Sequence, residues 1–332
     1  MLKVRMISPI VPSTPAVHPL PAPQRMDPLS EVLALMKPQI YVAGGFAVLD
    51  DIAVHFPRHA GIKCYAMLAG QCWLVVETVP DPILLHAGDC FLLPRGLPFS
   101  LTTNLSLEPI LFSEARDRCG VLSETPGDHH DAPYIAGGHF ALTGNHVDMI
   151  LQSLPPIVHI RRESDKAAMR WSLERMREEL RSAEPGSSLI AQQLAYMMLV
   201  QALRLHLADA ASATPGWLSA LSDKHMSLAI TSIHNDPGHP WTLQSLAERV
   251  GMSRSVFALR FREIVGSTPM EYLTRWRMLL GADRLKNTTE SLSTIATALG
   301  YESESAFGKA FRRVMGCAPR QYARNTATSP IA

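Results

Sequence analysis

The spacing of apolar and polar side chains changes character along the chain. Ahead of residue 26 the sequence is proline-rich, which predicts a poorly ordered arm over residues 1–26. Asp27-Pro28 then supplies a capping residue and a first-turn proline for a short helix to about Met36, ended by Pro38. From about residue 40 to residue 112 the apolar runs shorten. Tyr41–Phe46, Cys64–Leu68, Cys72–Thr78 and Cys90–Leu93 are separated by Gly44-Gly45, Gly70, Pro80-Asp81-Pro82, Gly88-Asp89 and Pro94-Arg95-Gly96. Short strands punctuated by turn residues predict a β-barrel or sandwich. Residues 113–146, polar and rich in Gly and His, read as loops with a few strands.

Beyond about residue 147 the pattern is helical. Asp165–Arg181 gathers Ala168, Trp171, Leu173, Met176 and Leu180 near one face, and Leu189–Ala208 is rich in Leu, Met and Ala, with a break at Pro185-Gly186. Such a helix pair beside a domain boundary serves either as a dimer contact or as packing for its own barrel. Ala211–Gly216 reads as a linker.

The last third of the chain repeats itself. Leu246-Ala247, Val250-Gly251, Ser253, Phe257, Phe261, Gly266, Pro269 and Tyr272 return as Ile295-Ala296, Leu299-Gly300, Ser303, Phe307, Phe311, Gly316, Pro319 and Tyr322. The offset is 49 residues before the serine and 50 from it onward, so the second copy has one extra turn residue. Each copy has the chemistry of a helix-turn-helix. The small alanine allows close helix crossing, the glycine accepts the left-handed conformation that closes the first helix, and the serine caps the second. The phenylalanines lie four apart and bury one edge of the second helix.

Outward positions of the second helices are then Arg254, Ser255, Ala258, Leu259 and Arg262 in the first copy. In the second copy they are Glu304, Ser305, Gly308, Lys309 and Arg312. A helix-turn-helix places such residues in the major groove of double-stranded DNA, where small side chains permit approach and Arg or Lys reach bases or phosphates. Arg313, Arg320, Arg284 and Lys286 fit phosphate contacts. A helix over about Pro269–Lys286 joins the copies, with Tyr272, Leu273, Trp276, Leu279 and Leu280 inward. It predicts two reading heads on successive major grooves, about 34 Å apart.

Composition bears on this reading in one respect. The chain of 332 residues has a formal net charge of +1, which by itself argues against a nucleic-acid partner. Residues 216–332, however, hold 14 basic against 9 acidic side chains, a net +5, and the remainder holds 17 against 21, a net −4. A basic module is joined to an acidic one. The cysteines Cys64, Cys72, Cys90, Cys119 and Cys317 are scattered and form no CxxC pair, so neither a zinc site nor a disulfide framework is signalled. Lys3 and Arg5 are followed by prolines rather than by a signal-peptide core, and no apolar run approaches the roughly 18 residues of a membrane helix. A cytoplasmic protein without membrane contact is expected.

Residues 223–324 resemble the DNA-binding domain of AraC-family transcriptional regulators. The resemblance is carried by SLAERVGMSRSVFALRFREIVGSTPMEYL and RMLLGADRLKNTTESLSTIATALGYESESAFGKAFRRVMGCAPRQYA. It implies sequence-specific promoter binding by two helix-turn-helix units. Leu259 departs from the family, where a polar or basic residue is common, and leaves open a thymine-methyl contact or less strict reading. Residues 27–160 are similar to the cupin-type sensor attached to one branch of the family. Gly88-Asp89-Cys90-Phe91-Leu92-Leu93-Pro94-Arg95-Gly96 matches the second cupin motif, but Phe99 stands where that motif has its metal-binding histidine. No His-x-His pair of the first motif precedes Gly88.

The expected fold is therefore α+β. It comprises the arm (1–26), a cupin-like barrel (27–160), a helical connector and linker (161–215), and an all-α double helix-turn-helix module (216–332). No cofactor, metal or catalytic residue is expected. The competing class is a metal-dependent cupin enzyme with an accessory helical domain, which needs at least three metal ligands. His129, His130, Asp131, His139 and His146 cluster in sequence but irregularly, and His55 and His59 flank Pro57. The resemblance leaves room for a small-molecule effector, a homodimer and a contact with RNA polymerase. Tyr65, Met67, Trp73, Phe91 and Phe99 are apolar candidates for a barrel lining; filling the core is an equal alternative.

Overall fold

A computed structural model describes residues 26–36, 39–47, 53–119, 133–141, 154–182, 184–208 and 216–327. Helix α1 (Pro28–Met36) precedes a strand-rich region containing β1 (Gln39–Ala47), β2 (Ala53–Phe56), β3 (Ile62–Ala69), β4 (Gln71–Val76) and β5 (Ile83–His86). It continues with β6 (Cys90–Leu93), β7 (Phe99–Thr102), β8 (Pro109–Leu111), helix α2 (Phe112–Cys119), β9 (Tyr134–Ala141) and β10 (Val158–Ile160). The strands form two five-stranded sheets, ordered β1-β9-β3-β6-β10 and β5-β4-β7-β2-β8. All pairings are antiparallel except β2 with β8.

Strand alternation decides what lies between the sheets. In β3, Met67 joins the inter-sheet core and Tyr65 packs against it, whereas Ile62, Cys64 and Ala66 face the helices outside. In β4, Cys72, Leu74 and Val76 point inward, so Trp73 takes the opposite face, half-buried. Trp73 therefore leaves the expected lining, while Tyr65, Met67, Phe91 and Phe99 stay in it or against it. The segment 113–146 holds a helix, α2, and a long strand, β9, that pairs on both sides, with β1 and β3. Glycine makes the close approach possible: a Cβ at Gly137 would stand 2.0 Å from the Cys64 carbonyl oxygen.

Helices α3 (Glu163–Ser182) and α4 (Ser187–Ala208) cover the outer face of the first sheet through Met169, Leu173, Met176, Ala195, Met198 and Leu199. An ion pair pins α3 to the barrel. Asp89, in the β5–β6 turn, accepts from His159 Nε2 at 2.9 Å and pairs with Lys166 Nζ at 2.8 Å. Burial alone would raise this carboxyl, but those partners hold it at about 2.

The C-terminal module runs through α5 (Trp217–Ser222), α6 (Lys224–Asn235), α7 (Leu243–Arg249), α8 (Arg254–Val265) and α9 (Pro269–Asn287). Helices α10 (Leu292–Ala298), α11 (Glu304–Met315) and α12 (Pro319–Ala327) complete it. One hydrophobic core extends from the first sheet, α1, α3 and α4 into α5–α9, while Met278, Ala282, Ile295, Leu299, Phe307, Phe311 and Met315 form a separate core around α10 and α11.

Candidate nucleic-acid interface

The two helix-turn-helix units are closed by the same backbone bonds. After α7, the Gly251 N–H donates to the Glu248 carbonyl at 3.1 Å and the Met252 N–H to that of Ala247 at 2.9 Å. After α10, Gly300 donates to Thr297 at 3.0 Å and Tyr301 to Ala296 at 2.9 Å. Paired bonds of this kind need a left-handed residue, and Gly251 and Gly300 take φ of +69° and +76°. The serines act as N-caps: Ser253 Oγ accepts from the Val256 N–H and Ser303 Oγ from that of Ala306. Gly266 and Gly316 end α8 and α11, both left-handed.

These local devices present equivalent faces. Arg254, Ser255, Leu259 and Arg262 of α8 are exposed and Ala258 is half-buried. Glu304, Ser305, Lys309, Arg312 and Arg313 of α11 are exposed and Gly308 half-buried. The phenylalanines Phe257, Phe261, Phe307 and Phe311 are fully buried behind them. Arg254, Arg262, Lys309, Arg312 and Arg313 form no ion pair with any described residue, so their charges face solvent. Val256, 55% exposed, joins Leu259, 61% exposed, on the outer face of α8. Ala306 is its register twin in the second copy, so the repeat itself marks the position.

Other basic residues have structural partners. Arg260 Nη2 donates to Asp223 at 2.5 Å, tying α8 to the N-cap of α6. Arg277 donates to the Pro237 and His239 carbonyls at 2.6 and 2.8 Å and lies 5.6 Å from the Tyr301 ring centroid. Beside it, a Cβ on Gly300 would stand 2.4 Å from the Gly238 carbonyl oxygen. The second turn therefore rests directly on the α6–α7 loop, and the heads are fixed by this contact as well as by α9. Among the suggested phosphate contacts, Arg284 lies 3.8 Å from Glu290 and Lys286 sits 4.9 Å from the Tyr322 ring, while Arg320 is exposed.

The first unit is also wired to the N-terminal half. Trp217 Nε1 donates to the Tyr272 hydroxyl at 2.7 Å, which leaves the Tyr272 proton for His234 Nε2 at 2.7 Å. His234 Nδ1 then donates to Glu31 of α1 at 2.7 Å. Burial lowers the His234 pKa despite the opposing carboxylate, and its ring stacks on Trp276 at 3.7 Å.

In the barrel, Phe99 is buried where the second cupin motif would place its histidine. Among the described residues no three His, Cys, Asp or Glu side chains come together as a metal group. His55 bonds Ser100 Oγ, and His139 Nε2 bonds the Ala60 carbonyl; His129, His130, Asp131 and His146 lie outside the described residues. Cys64, Cys72 and Cys90 are buried, and burial pushes the Cys72 thiol up to about 12. Among the described residues no helix is long and apolar enough to cross a membrane.

A cupin-type β domain followed by a double helix-turn-helix defines the class: a transcription regulator built from a barrel and two reading heads. A family model described as Cupin matches residues 27–208, and one described as Helix-turn-helix domain matches residues 246–325. A putative AraC-like transcription regulator of Streptomyces lividans is 38% identical over 305 residues, covering 90% of this chain and 99% of that protein. The HTH-type transcriptional regulator AlkR of Acinetobacter baylyi is 30% identical over 252 residues, covering 71% and 79%. Among solved structures, the DNA-binding domain of AdpA in complex with a target DNA is similar at 29% identity, over 31% of this chain and 93% of that one, with a TM-score of 0.30. The chain belongs to the AraC family of transcription regulators. These relatives are named transcription regulators, and they give the metal-dependent cupin alternative no support.

Proposed function

We propose that this regulator binds promoter DNA through α8 and α11 and responds to a small-molecule effector held by its barrel. One observation carries the DNA reading: two helices with matching orders of buried and exposed positions present exposed cations, among which Arg254, Lys309, Arg312 and Arg313 form no ion pair with a described carboxylate. Arg254, Ser255, Ala258, Leu259 and Arg262 read one major-groove segment, and Glu304, Ser305, Gly308, Lys309, Arg312 and Arg313 the next. The division into a 27–160 sensor, a 161–215 connector and a 216–332 DNA-binding module belongs to the same reading. So does a cytoplasmic location.

A homodimer is supported by Trp171, Leu189, Ile190 and Met197, large apolar side chains left exposed on α3 and α4 although both helices pack on their own barrel. A contact with RNA polymerase belongs to the same reading. The test is a mobility shift of the full chain on fragments recovered by genome-wide mapping of its bound sites. Specific fragments are expected to shift well below the concentration that shifts random DNA, with affinity falling steeply as salt rises. Equal affinity for both, or no dependence on salt, overturns the reading.

A further inference from the structure

Inside the barrel one positive charge has no counter-charge among the described residues. Lys63 sits on β3 on the same side as Tyr65 and Met67, and only 9% of it is exposed. Its Nζ lies 4.7 Å from the Phe56 ring centroid and 4.9 Å from that of Phe99, two rings stacked at 4.5 Å and 4°. No carboxylate or hydrogen-bond acceptor among the described residues reaches it. Ring faces attract a cation but replace neither hydration nor an anion. Burial accordingly lowers the Lys63 pKa to about 8, which leaves the amine mostly charged near neutrality.

A second unpartnered group stands beside it. His59 Nε2 is buried with no hydrogen-bond partner, and the ring meets Phe99 edge-on at 6.2 Å. Burial, then the Lys63 charge, lower its pKa to about 4, so the ring is neutral; its single N–H is on Nδ1, 3.4 Å from the Ala60 carbonyl, which leaves Nε2 an acceptor. The unpaired Lys63 ammonium against one stack of aromatic rings forms an anion site with an apolar wall, and the His59 Nε2 beside it is free to accept a hydrogen bond. Phe46 and Phe112 extend that wall, each within 6 Å of Phe56.

We propose that the barrel effector is a compact organic carboxylate, its charge held by Lys63 and its apolar body laid against Phe56 and Phe99. This rests on the sensor reading above and names the ligand class for it. A carboxylate supplies the missing counter-charge and an acceptor at once, whereas a neutral ligand of the same shape leaves Lys63 unpaired.

The test uses the full chain and sodium benzoate, phenylacetate and octanoate as probes, with benzamide and sodium chloride as controls. At least one carboxylate is expected to raise Tm saturably, benzamide and chloride are not, and Lys63→Met is expected to lose the response. A second measurement does not depend on that variant folding. After reductive ¹³C-dimethylation, one lysine signal is expected to titrate abnormally low and to move upward when the carboxylate is added. No response to any carboxylate, an equal response to benzamide, or an unchanged response in Lys63→Met overturns the site. A mobility shift with the carboxylate present separates the two readings. Binding that leaves DNA affinity unchanged overturns the sensor role and keeps the site. A DNA response only to a non-carboxylate overturns the site and keeps the sensor.

Discussion

The two helix-turn-helix units are copies in their turns and opposites in their wiring. Around α7 and α8 the core runs without interruption into the first sheet and its covering helices, and a chain of three hydrogen bonds leads from Trp217 through Tyr272 and His234 to Glu31. Around α10 and α11 the core is closed on itself. The reading faces differ in the same sense. The first offers Val256 and Leu259, and the second offers Ala306 and Lys309 at the same register. On the function proposed above, the difference implies a division of labour: the first head is the one whose placement the barrel would bias, and the second would offer the more hydrophilic face to DNA.

The largest effect should come from emptying either core. Phe257→Ala and Phe307→Ala each remove a fully buried ring, at a cost of about 3–5 kcal/mol. Hydrogen exchange should show the first loss spreading into α1, α4 and the first sheet, and the second confined to α10–α12. Equal spreading in both variants would break the comparison.

Tyr272→Phe sharpens it. The substitution strands the buried Trp217 N–H and His234 Nε2, an expected loss of about 1–3 kcal/mol in thermal or denaturant unfolding. The His234 network also sets a pH dependence. Its folded pKa lies below the ordinary 6.5, so on acidification the unfolded chain takes up a proton that the folded chain refuses. Stability should therefore fall as pH drops below about 6.5, and less steeply in His234→Gln. A stability profile identical in the two proteins between pH 7 and pH 5 would sink that assignment.

At the reading heads, Lys309→Ala should cost about 1–3 kcal/mol of specific DNA binding and less of non-specific binding if Lys309 meets a base edge. An equal loss on both makes it a phosphate contact. Leu259→Ala should change discrimination at a single base pair with little change in salt slope. The smallest effect is the most diagnostic. A Cβ at Gly308 meets nothing within 4 Å, so Gly308→Ala should stabilise the free protein by about 0.5–1 kcal/mol through helix propensity. The same methyl on a face pressed into the major groove should weaken binding. Tighter or unchanged binding would place Gly308 away from the DNA.

Much of the DNA-binding module was legible because its signals are local. A capping serine, a closing glycine and phenylalanines four apart act within one or two turns, and their repetition marks the whole unit. The barrel was less legible. Cys90–Leu93 reads directly as a strand, but β9 lies in a segment rich in Gly and His, and it is strand because β1 and β3 pair on either side of it. Trp73 reads as a candidate for the lining because an aromatic in an apolar run shows no face until the sheet is assembled.

By itself, the sequence determined the duplicated helix-turn-helix, the placement of its exposed cations, the split of charge between halves and the absence of a motif histidine at Phe99. Each depends on residue identity at short range, where backbone periodicity fixes the geometry. Only the tertiary structure decided that Arg260 belongs to Asp223, that Gly300 rests on Gly238, that Lys63 lies over two phenylalanine rings with no anion among the described residues, and that Glu31 reaches His234 across 203 residues. Those contacts join segments distant in the chain, and their energies come from burial and pairing that exist only once both partners have been folded together.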